Sequence, residues 1–269
     1  MESEQHEIGP VKESESWRAP SFQQRLSVRE SPRGWPVMRQ RWSKLLFLHW
    51  PIEPAFISSR LPKGLHVDLF DGTAWIGIIP FSMERVHPVG VPPLPWISWF
   101  LELNVRTYVH DDEGRPGVWF FSLDCNQPIA VEIARRLFHL PYNHARMGLD
   151  PKGRDILYSS QRKGSQAISR FRYRLPVEAK PARDGSLEWF LVERYLLFTS
   201  DRAERIRCGR VHHSPYLIEQ ANCSEWTVEP IRENGFPSPC GNPVSVLVAE
   251  PVDVNIYPLE LHSPGKGPA

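Results

Sequence analysis

Polar and apolar residues alternate along FLELNVRTYV, residues 100–109. Successive residues of a β-strand point to opposite faces, so Glu102, Asn104, Arg106 and Tyr108 share one face and an apolar set shares the other. The pattern predicts a strand that packs on a core through its apolar face. Its polar face meets either solvent or the inside of a pocket, and the alternation alone leaves both open.

Short apolar segments separated by turn residues continue along most of the chain, which is typical of a mostly β domain. Strands are predicted at residues 42–50, 66–69, 73–81, 99–109, 117–123, 156–161, 169–175, 187–198, 206–211 and 244–257. The turns FDGT, DDEG and ARDGS carry residues that favour hairpins and antiparallel pairing.

Two short helices are predicted among these strands. PAFISSRLP ends at a proline, and IAVEIARRLFHL places Ile129, Ile133, Leu137 and Leu140 on one apolar stripe. About ten strands, two short helices and no internal linker favour a mainly β fold, a single antiparallel barrel or closed sandwich. We expect residues 35–257 to form this domain, residues 1–34 a disordered or loosely attached leader and residues 258–269 a disordered tail.

The composition argues against two classes of binding partner, nucleic acids and membranes. With a formal net charge of +1 and 41% hydrophobic residues, the chain offers neither a basic surface for nucleic acid nor a segment that would span a membrane. We expect a cytoplasmic protein whose four cysteines are free thiols, and homo-oligomer formation stays open. No phosphate-binding or dinucleotide motif is present, and the adjacent His212 and His213 would point apart on a strand. We therefore expect no metal and no cofactor.

Charged residues inside apolar strands need partners if they are buried. Glu102 and Arg106 lie four residues apart, roughly 13 Å along one strand, so they do not simply neutralise each other. Asp124 is one candidate partner, and Glu193 with Arg194 in FLVERYLLF supplies others. A solvent face, a set of structural ion pairs and a partly polar barrel interior all fit this pattern.

Six segments in order resemble a known family: RWSKLLFLHWPIEP, LPKGLHVDLFDGTAWIGIIPFSM, ELNVRTYV, GVWFFSLD, ARRLFHLPYNHARM and FLVERYLLFT. Together they resemble the YqjF-like bacterial family of uncharacterised proteins over about residues 35–222. That family in turn resembles a divergent branch of the acetoacetate decarboxylase-like fold. The resemblance implies an antiparallel barrel that encloses a small acid-binding cavity, and it favours the pocket over the solvent face.

The resemblance also argues against the decarboxylase mechanism. Those enzymes form a Schiff base through a lysine that a second lysine activates. Here Tyr142 and Asn143 stand at the two lysine positions, and neither side chain forms an imine. The decarboxylases also carry a glutamate on a strand upstream of the lysines, and Glu102 lies at a similar distance here. The resemblance therefore implies that this chain has the acidic residue of the decarboxylase site but not its lysine nucleophile.

These observations together predict a barrel cavity that binds a small oxo or hydroxy acid, with lyase-like or proton-transfer chemistry. Glu102 would be the general acid or base, with Tyr142 as a hydroxyl donor and His213 as a further candidate. The expected ligand contacts are Arg106, Arg194, Asn104, Tyr108 and Trp50. The alternative is a non-catalytic barrel, for a metabolite or a protein partner, whose charges form a buried structural network.

Overall fold

The computed structural model describes residues 17–262. Residues 1–16 of the expected leader and 263–269 of the expected tail lie outside the described residues. Residues 17–34 contain a short helix, α1 (Phe22–Ser27), which begins at a capping box made by Ser21 and Gln24. Arg25 of this helix binds Asp68 of the main domain, so this part of the leader contacts the domain through a buried carboxylate.

Sixteen strands form one continuous sheet within residues 17–262. They are β1 (Met38–Ser43), β2 (Leu45–Ile52), β3 (Leu65–Val67), β4 (Ala74–Pro88), β5 (Phe100–Asp111), β6 (Pro116–Cys125), β7 (Tyr142–Lys152), β8 (Asp155–Arg162), β9 (Ser169–Arg174), β10 (Lys180–Pro181), β11 (Leu196–Ser200), β12 (Ile206–His212), β13 (Leu217–Gln220), β14 (Ser245–Ala249), β15 (Val252–Ile256) and β16 (Glu260–Leu261).

The helices are short. Besides α1 they are α2 (Pro54–Ser58), α3 (Pro128–Leu137), α4 (Leu187–Val192) and α5 (Glu229–Glu233). The longest, α3, starts at Gln127, whose side chain accepts a hydrogen bond from the backbone N–H of Ile129. None of the helices between residues 17 and 262 has the length and apolar character needed to cross a membrane.

Seven strands close into a ring. Strand pairing runs from β1 to β4, β5, β6, β11, β12 and β15, and β15 pairs with β1 again. Strand β6 pairs in parallel with both β7 and β11, and the other pairings of the described sheet are antiparallel. Strand β2 joins β4 beside β1 and leads outward through β14 and β13. We call the closed set the ring.

Two hydrophobic cores lie on opposite faces of the same strands. On β2, Leu45 and Phe47 face the interior of the ring, whereas Leu46 and Leu48 belong to a second core outside it. Strand β5 divides in the same way, because Leu101, Leu103 and Val105 pack in the second core. Strands buried on both faces read as nearly continuous apolar runs, which explains LLFLHW in β2.

Several predicted elements need correction. The strand expected at residues 187–198 is wrong for its first half, which forms the buried helix α4, with Ser186 capping it through a hydrogen bond from Trp189 N–H. The strand expected at 42–50 is interrupted at Lys44, whose φ is 54°, and the one expected at 244–257 consists of β14 and β15. Strands β7, β10, β13 and β16 lie outside the predicted strands.

Candidate functional site

A cavity of about 460 Å³ lies inside the ring. Every strand of the ring contributes to its lining, and α3 and Tyr142 cover one side. One side chain from each ring strand illustrates this: Gln40, Phe81, Arg106, Phe120, Leu197, Val211 and Ile256. Its size falls in the range of small-molecule sites.

The polar face of β5 forms one wall of the cavity. Glu102, Asn104 and Arg106, all at even positions of the strand, line it and are called the polar wall here. Glu102 is 3% exposed and Asn104 is 4% exposed, so neither side chain lies in bulk solvent. The strand is apolar on one face because that face packs in the second core, and polar on the other because that face lines the cavity.

A bulge in β6 lies opposite Arg106. Val105 pairs with Ser122 but Arg106 pairs with Phe120, so Phe121 is an extra residue in β6. The irregularity lets both Phe120 and Leu123 line the cavity, whereas Phe121 packs against Phe236 outside it. Bulges of this kind re-aim side chains and are common beside functional sites.

Glu102 is bonded to Tyr142. The Tyr142 hydroxyl donates a hydrogen bond of 2.6 Å to Oε2 of Glu102, and both side chains are buried. Tyr142 begins β7, whose parallel pairing with β6 sets Tyr142 beside Leu123. Burial raises the pKa of Glu102 to about 7, although contacts from Tyr142 and Asn104 act in the opposite direction. Burial and the nearby Glu102 carboxyl also raise the pKa of Tyr142 well above its ordinary value.

Arg106 has no carboxylate partner among residues 17–262. Its Nη2 donates to the carbonyl oxygen of Leu191 at 3.0 Å, and its Nε is buried with no hydrogen-bond partner in the described part of the chain. The guanidinium lies over the ring of Phe47, 5.6 Å from the centroid. A partly buried cation with a free donor is suited to bind an anion.

Asn104 has a comparable free group. Its Oδ1 is buried and accepts no hydrogen bond from any described residue. Buried polar atoms without partners are rare in proteins, and one in a cavity wall is a natural place for a ligand donor.

Tyr108 shares a strand face with the polar wall but does not line the cavity. Its hydroxyl donates to the Leu191 carbonyl at 2.8 Å, and His49 Nε2 lies 2.7 Å from the same hydroxyl oxygen. Burial, followed by the charge of Arg106, lowers the pKa of His49 well below its ordinary value. Gly77 faces the imidazole of His49, because a Cβ at Gly77 would lie 2.8 Å from Cδ2 of His49.

The other expected site residues lie outside the cavity lining. Arg194 is buried and binds Asp68 at 2.7 Å, where Arg25 also binds. Trp50 is fully buried in the second core. His213 stacks on Tyr195 and contacts Tyr216, which does line the cavity, and burial lowers the pKa of His213 to about 4.

Two aromatic residues of the lining were not singled out from the sequence. Phe47 and Leu45 line the cavity from an apolar run that is buried on both faces, so no alternation in the sequence marks Phe47. Tyr216 follows β12 in a turn and holds its position through a hydrogen bond from its backbone N–H to Oε1 of Glu193. No periodic pattern marks it.

The lining contains no lysine among the described residues. Lys44, the lysine inside the first apolar run, binds Glu84 at 2.9 Å instead. Residues 17–262 also contain no group of three or more His, Cys, Asp and Glu side chains placed to hold a metal ion.

Residues 39–253 match the model of DUF2071, a family of uncharacterized conserved proteins. The chain belongs to this family. One relative, the uncharacterized protein YqjF of Bacillus subtilis strain 168, is 36% identical over 241 residues, which cover 88% of this chain and 97% of YqjF. The family expected from the six sequence segments is thereby confirmed.

Solved structures identify the fold of this DUF2071 protein. The enduracididine biosynthesis enzyme MppR, complexed with pyruvate, is 12% identical to this chain with a TM-score of 0.59. The match covers 87% of this chain and 94% of the MppR chain. Acetoacetate decarboxylase from Legionella pneumophila has a TM-score of 0.58 at 12% identity, covering 87% and 92%. An acetoacetate decarboxylase-like enzyme from Sphingomonas wittichii RW1 has a TM-score of 0.57 at 12% identity. That match covers 86% of this chain and 94% of the enzyme chain. The mainly β, acetoacetate decarboxylase-like fold is confirmed.

Proposed function

We propose that this DUF2071 protein binds an organic acid with an oxo or hydroxy group in the ring cavity and transfers a proton to or from it. One observation carries the proposal. Glu102 and Arg106 line the same cavity, and neither has an oppositely charged partner among residues 17–262. A buried charge without a partner is costly in a folded protein, so a ligand that supplies one would bind favourably.

Arg106 would hold the carboxylate of the acid. Its unpartnered Nε and its remaining guanidinium donors offer paired hydrogen bonds of the kind that arginine makes to carboxylates. Oδ1 of Asn104 would accept a hydrogen bond from a hydroxyl of the ligand. These two groups would orient the ligand along the polar wall.

Glu102 would transfer the proton. A carboxyl whose pKa is about 7 is both a usable base and a usable acid at neutral pH. In the proposed step the Glu102 carboxylate takes a proton from the carbon beside the oxo group, the C–H electron pair moves onto that oxo group as an enolate, and the reverse step returns the proton. Tyr142, whose hydroxyl binds Glu102, would keep its own proton and orient the carboxyl.

Two further observations support this proposal. MppR, which has the same fold, was solved with the oxo acid pyruvate. The described lining carries no lysine, so chemistry through an imine is not part of the proposal. His213 and Arg194 would act only through neighbours, His213 through Tyr216 and Arg194 by holding Asp68.

The test combines binding with exchange. Thermal shifts would be measured with pyruvate, 2-oxobutanoate, acetoacetate and 3-hydroxybutyrate for wild type, Arg106→Met and the exposed control Arg136→Met. A ligand at a hundred times its Kd adds about 2.7 kcal/mol to the free energy of unfolding. We expect Arg106→Met to weaken acid binding at least about tenfold, as loss of a hydrogen bond to a charged group does, and Arg136→Met to leave it unchanged.

Exchange of the hydrogen beside the oxo group, followed by NMR in D2O, reports proton transfer directly. Wild type should accelerate exchange on a bound oxo acid, and Glu102→Gln should bind the acid but lose the acceleration. Acid binding that is identical in Arg106→Met and wild type would overturn the proposal.

The non-catalytic alternative makes a different prediction for the same samples: Arg106-dependent binding of the acid without any hydrogen exchange.

A structural charge network receives less support. Of the four residues expected in it, Glu102, Arg106, Glu193 and Arg194, only Arg194 forms an ion pair among the described residues.

A further inference from the structure

The polarity of the cavity is concentrated at one end. The unpartnered polar atoms of the lining, Oδ1 of Asn104 and Nε of Arg106, lie on the polar wall beside Glu102. Polar groups elsewhere in the lining bind within the protein: Nε1 of Trp42 donates to Gln40 at 2.8 Å, and Nδ1 of His87 lies 2.5 Å from the Arg85 carbonyl oxygen. Most of the remaining lining is apolar.

The apolar part extends away from the polar wall along two strands. Glu102, the residue of the polar wall nearest to Phe100, pairs with Phe81 of β4, and Phe100 pairs with Met83. Met83 and Pro88 lie five positions apart on β4, which is up to about 17 Å at about 3.3 Å per residue. Both Phe100 and Met83 line the cavity, and β4 continues to line it as far as Pro88. The lining is therefore elongated, with the charged groups toward one end.

The volume exceeds what a small oxo acid needs. At about 30 Å³ for a water-sized group, 460 Å³ holds roughly fifteen non-hydrogen atoms. A three- or four-carbon oxo acid has about half that number, so it would leave apolar walls unfilled.

The cavity opens to solvent between apolar side chains. Val37, Ile133 and Leu137 line it and are also exposed, by 40%, 41% and 67% respectively, and we call these three residues the mouth. Two of them belong to the apolar stripe of α3 that the sequence predicts, whereas the buried residues of that helix are Val131 and Ala134. An exposed apolar stripe is accounted for if an apolar ligand segment passes it.

We infer that the acid bound by this protein is amphipathic, with a straight apolar chain of about eight to twelve carbons in total. Its carboxylate and its oxo or hydroxy group lie at the polar wall, and its chain runs past Met83 and Phe100 toward the mouth. This inference rests on the proposed function for the position of the acid group. It adds the class of substrate, a medium-chain oxo or hydroxy acid.

Chain length is the variable to test. Saturated 2-oxo acids from pyruvate to 2-oxododecanoate would be titrated by calorimetry, below the concentrations at which they form micelles. We expect Kd to fall by up to about fourfold per added methylene, the value for full burial of a CH2 group, and to level off near ten to twelve carbons.

Variants at the mouth test where the apolar chain of the ligand lies. Leu137→Ser, at an exposed position that should tolerate a small polar side chain, should weaken the ten-carbon acid several-fold and leave pyruvate unchanged. Ala134→Phe fills part of the cavity and should remove most of the gain from chain length. Leu94→Ser is the matched control, since Leu94 is 47% exposed but does not line the cavity.

The outcomes separate the two proposals. If pyruvate binds in an Arg106-dependent way and longer acids bind no better, the chain-length inference is overturned and acid binding stands. If affinity rises with length but is the same in Arg106→Met, and 1-decanol binds as well as the acid, the apolar site stands and the acid-binding function is overturned. A gain that Leu94→Ser reduces as much as Leu137→Ser does would place the chain elsewhere and overturn the inference.

Discussion

The hydroxyl of Tyr142 donates a 2.6 Å hydrogen bond to the carboxyl of Glu102, forty residues earlier in the chain. Tyr142 is a neutral donor, so its contact with Glu102 brings no cation to the buried carboxyl. Burial then dominates, and the pKa of Glu102 rises to about 7. A lysine at this position would instead favour the ionised carboxylate.

Glu102 should make the protein less stable as the pH rises. Its pKa is about 7 in the folded chain and near the ordinary 4.5 in the unfolded chain, so the folded state binds more protons between these values. The free energy of unfolding should fall by about 3 kcal/mol across this window and then level off. Glu102→Gln should remove this contribution, and urea unfolding at pH 5 and pH 8 would measure it.

At pH 8 we therefore expect Glu102→Gln to be more stable than wild type, and at pH 5 nearly equal to it. Active-site charges often behave in this way. A Glu102→Gln protein that is several kcal/mol less stable at both pH values would mean that the carboxylate is part of a structural network instead.

Tyr142→Phe should raise the pKa of Glu102 further. The Tyr142 hydroxyl favours the ionised carboxylate, and its removal leaves only burial and the Asn104 contact. A hydrogen bond to a charged group contributes about 1.5 to 3 kcal/mol, so the shift should be about one pH unit or more. Carbon-13 NMR of the Glu102 carboxyl would follow the titration, and a pKa equal to or lower than that of wild type would contradict the prediction.

Asp68→Asn should destabilise the fold through Arg194. Burial would raise the pKa of Asp68, but Arg194 and Arg25 outweigh it, so the pKa lies below its ordinary value. Replacing Asp68 leaves Arg194 buried without its partner, which costs about 3 to 5 kcal/mol. The contribution of Asp68 is present above about pH 4 and is lost as the pH falls through its depressed pKa.

Arg25→Met is the comparison for that variant. Arg25 is 14% exposed and binds both oxygens of Asp68, but Arg194 remains paired without it, so we expect a smaller loss than for Asp68→Asn in denaturant unfolding. Equal losses in the two variants would show that the contact of α1, and not the buried Arg194 pair, carries the stability.

Gly77→Ala should disturb His49. A Cβ at this position would lie 2.8 Å from the His49 ring, which must then move away from Tyr108. Overpacking of this kind costs about 1 to 3 kcal/mol. Gly148→Ala is the control, since its Cβ would meet only the Ser159 hydroxyl at 3.0 Å, and calorimetric melting of both proteins would show whether the two differ as expected.

Alternation predicts that the residues of the polar wall share one face of β5, whereas the expectation of a cavity at that face came from the family resemblance. Glu102, Asn104 and Arg106 lie at every second position, and a strand gives each of them the same face whatever its neighbours are. The same reasoning places Tyr108 on this face, but its hydroxyl donates to the Leu191 carbonyl and the residue does not line the cavity. Strand periodicity fixes a face, whereas the depth of each side chain depends on the elements packed against it.

Alternation failed at FLVERYLLF for a physical reason. All four residues from Trp189 to Val192 are buried, so helix α4 has no polar side that would reveal a helical period. Ser186 belongs to the predicted hairpin turn ARDGS, whereas in the structure it caps this helix. Arg194, which follows the helix, is paired with Asp68.

Strands β2, β4 and β5 each present one face to the cavity and the other to the second core. Substitutions on the cavity face therefore change the cavity lining, while the residues of the second core lie on the opposite face of these strands. Related proteins could diverge in ligand through alternate positions of these three strands and still fold alike. Comparing the residues that correspond to 100, 102, 104 and 106 across relatives would show whether their specificities have diverged.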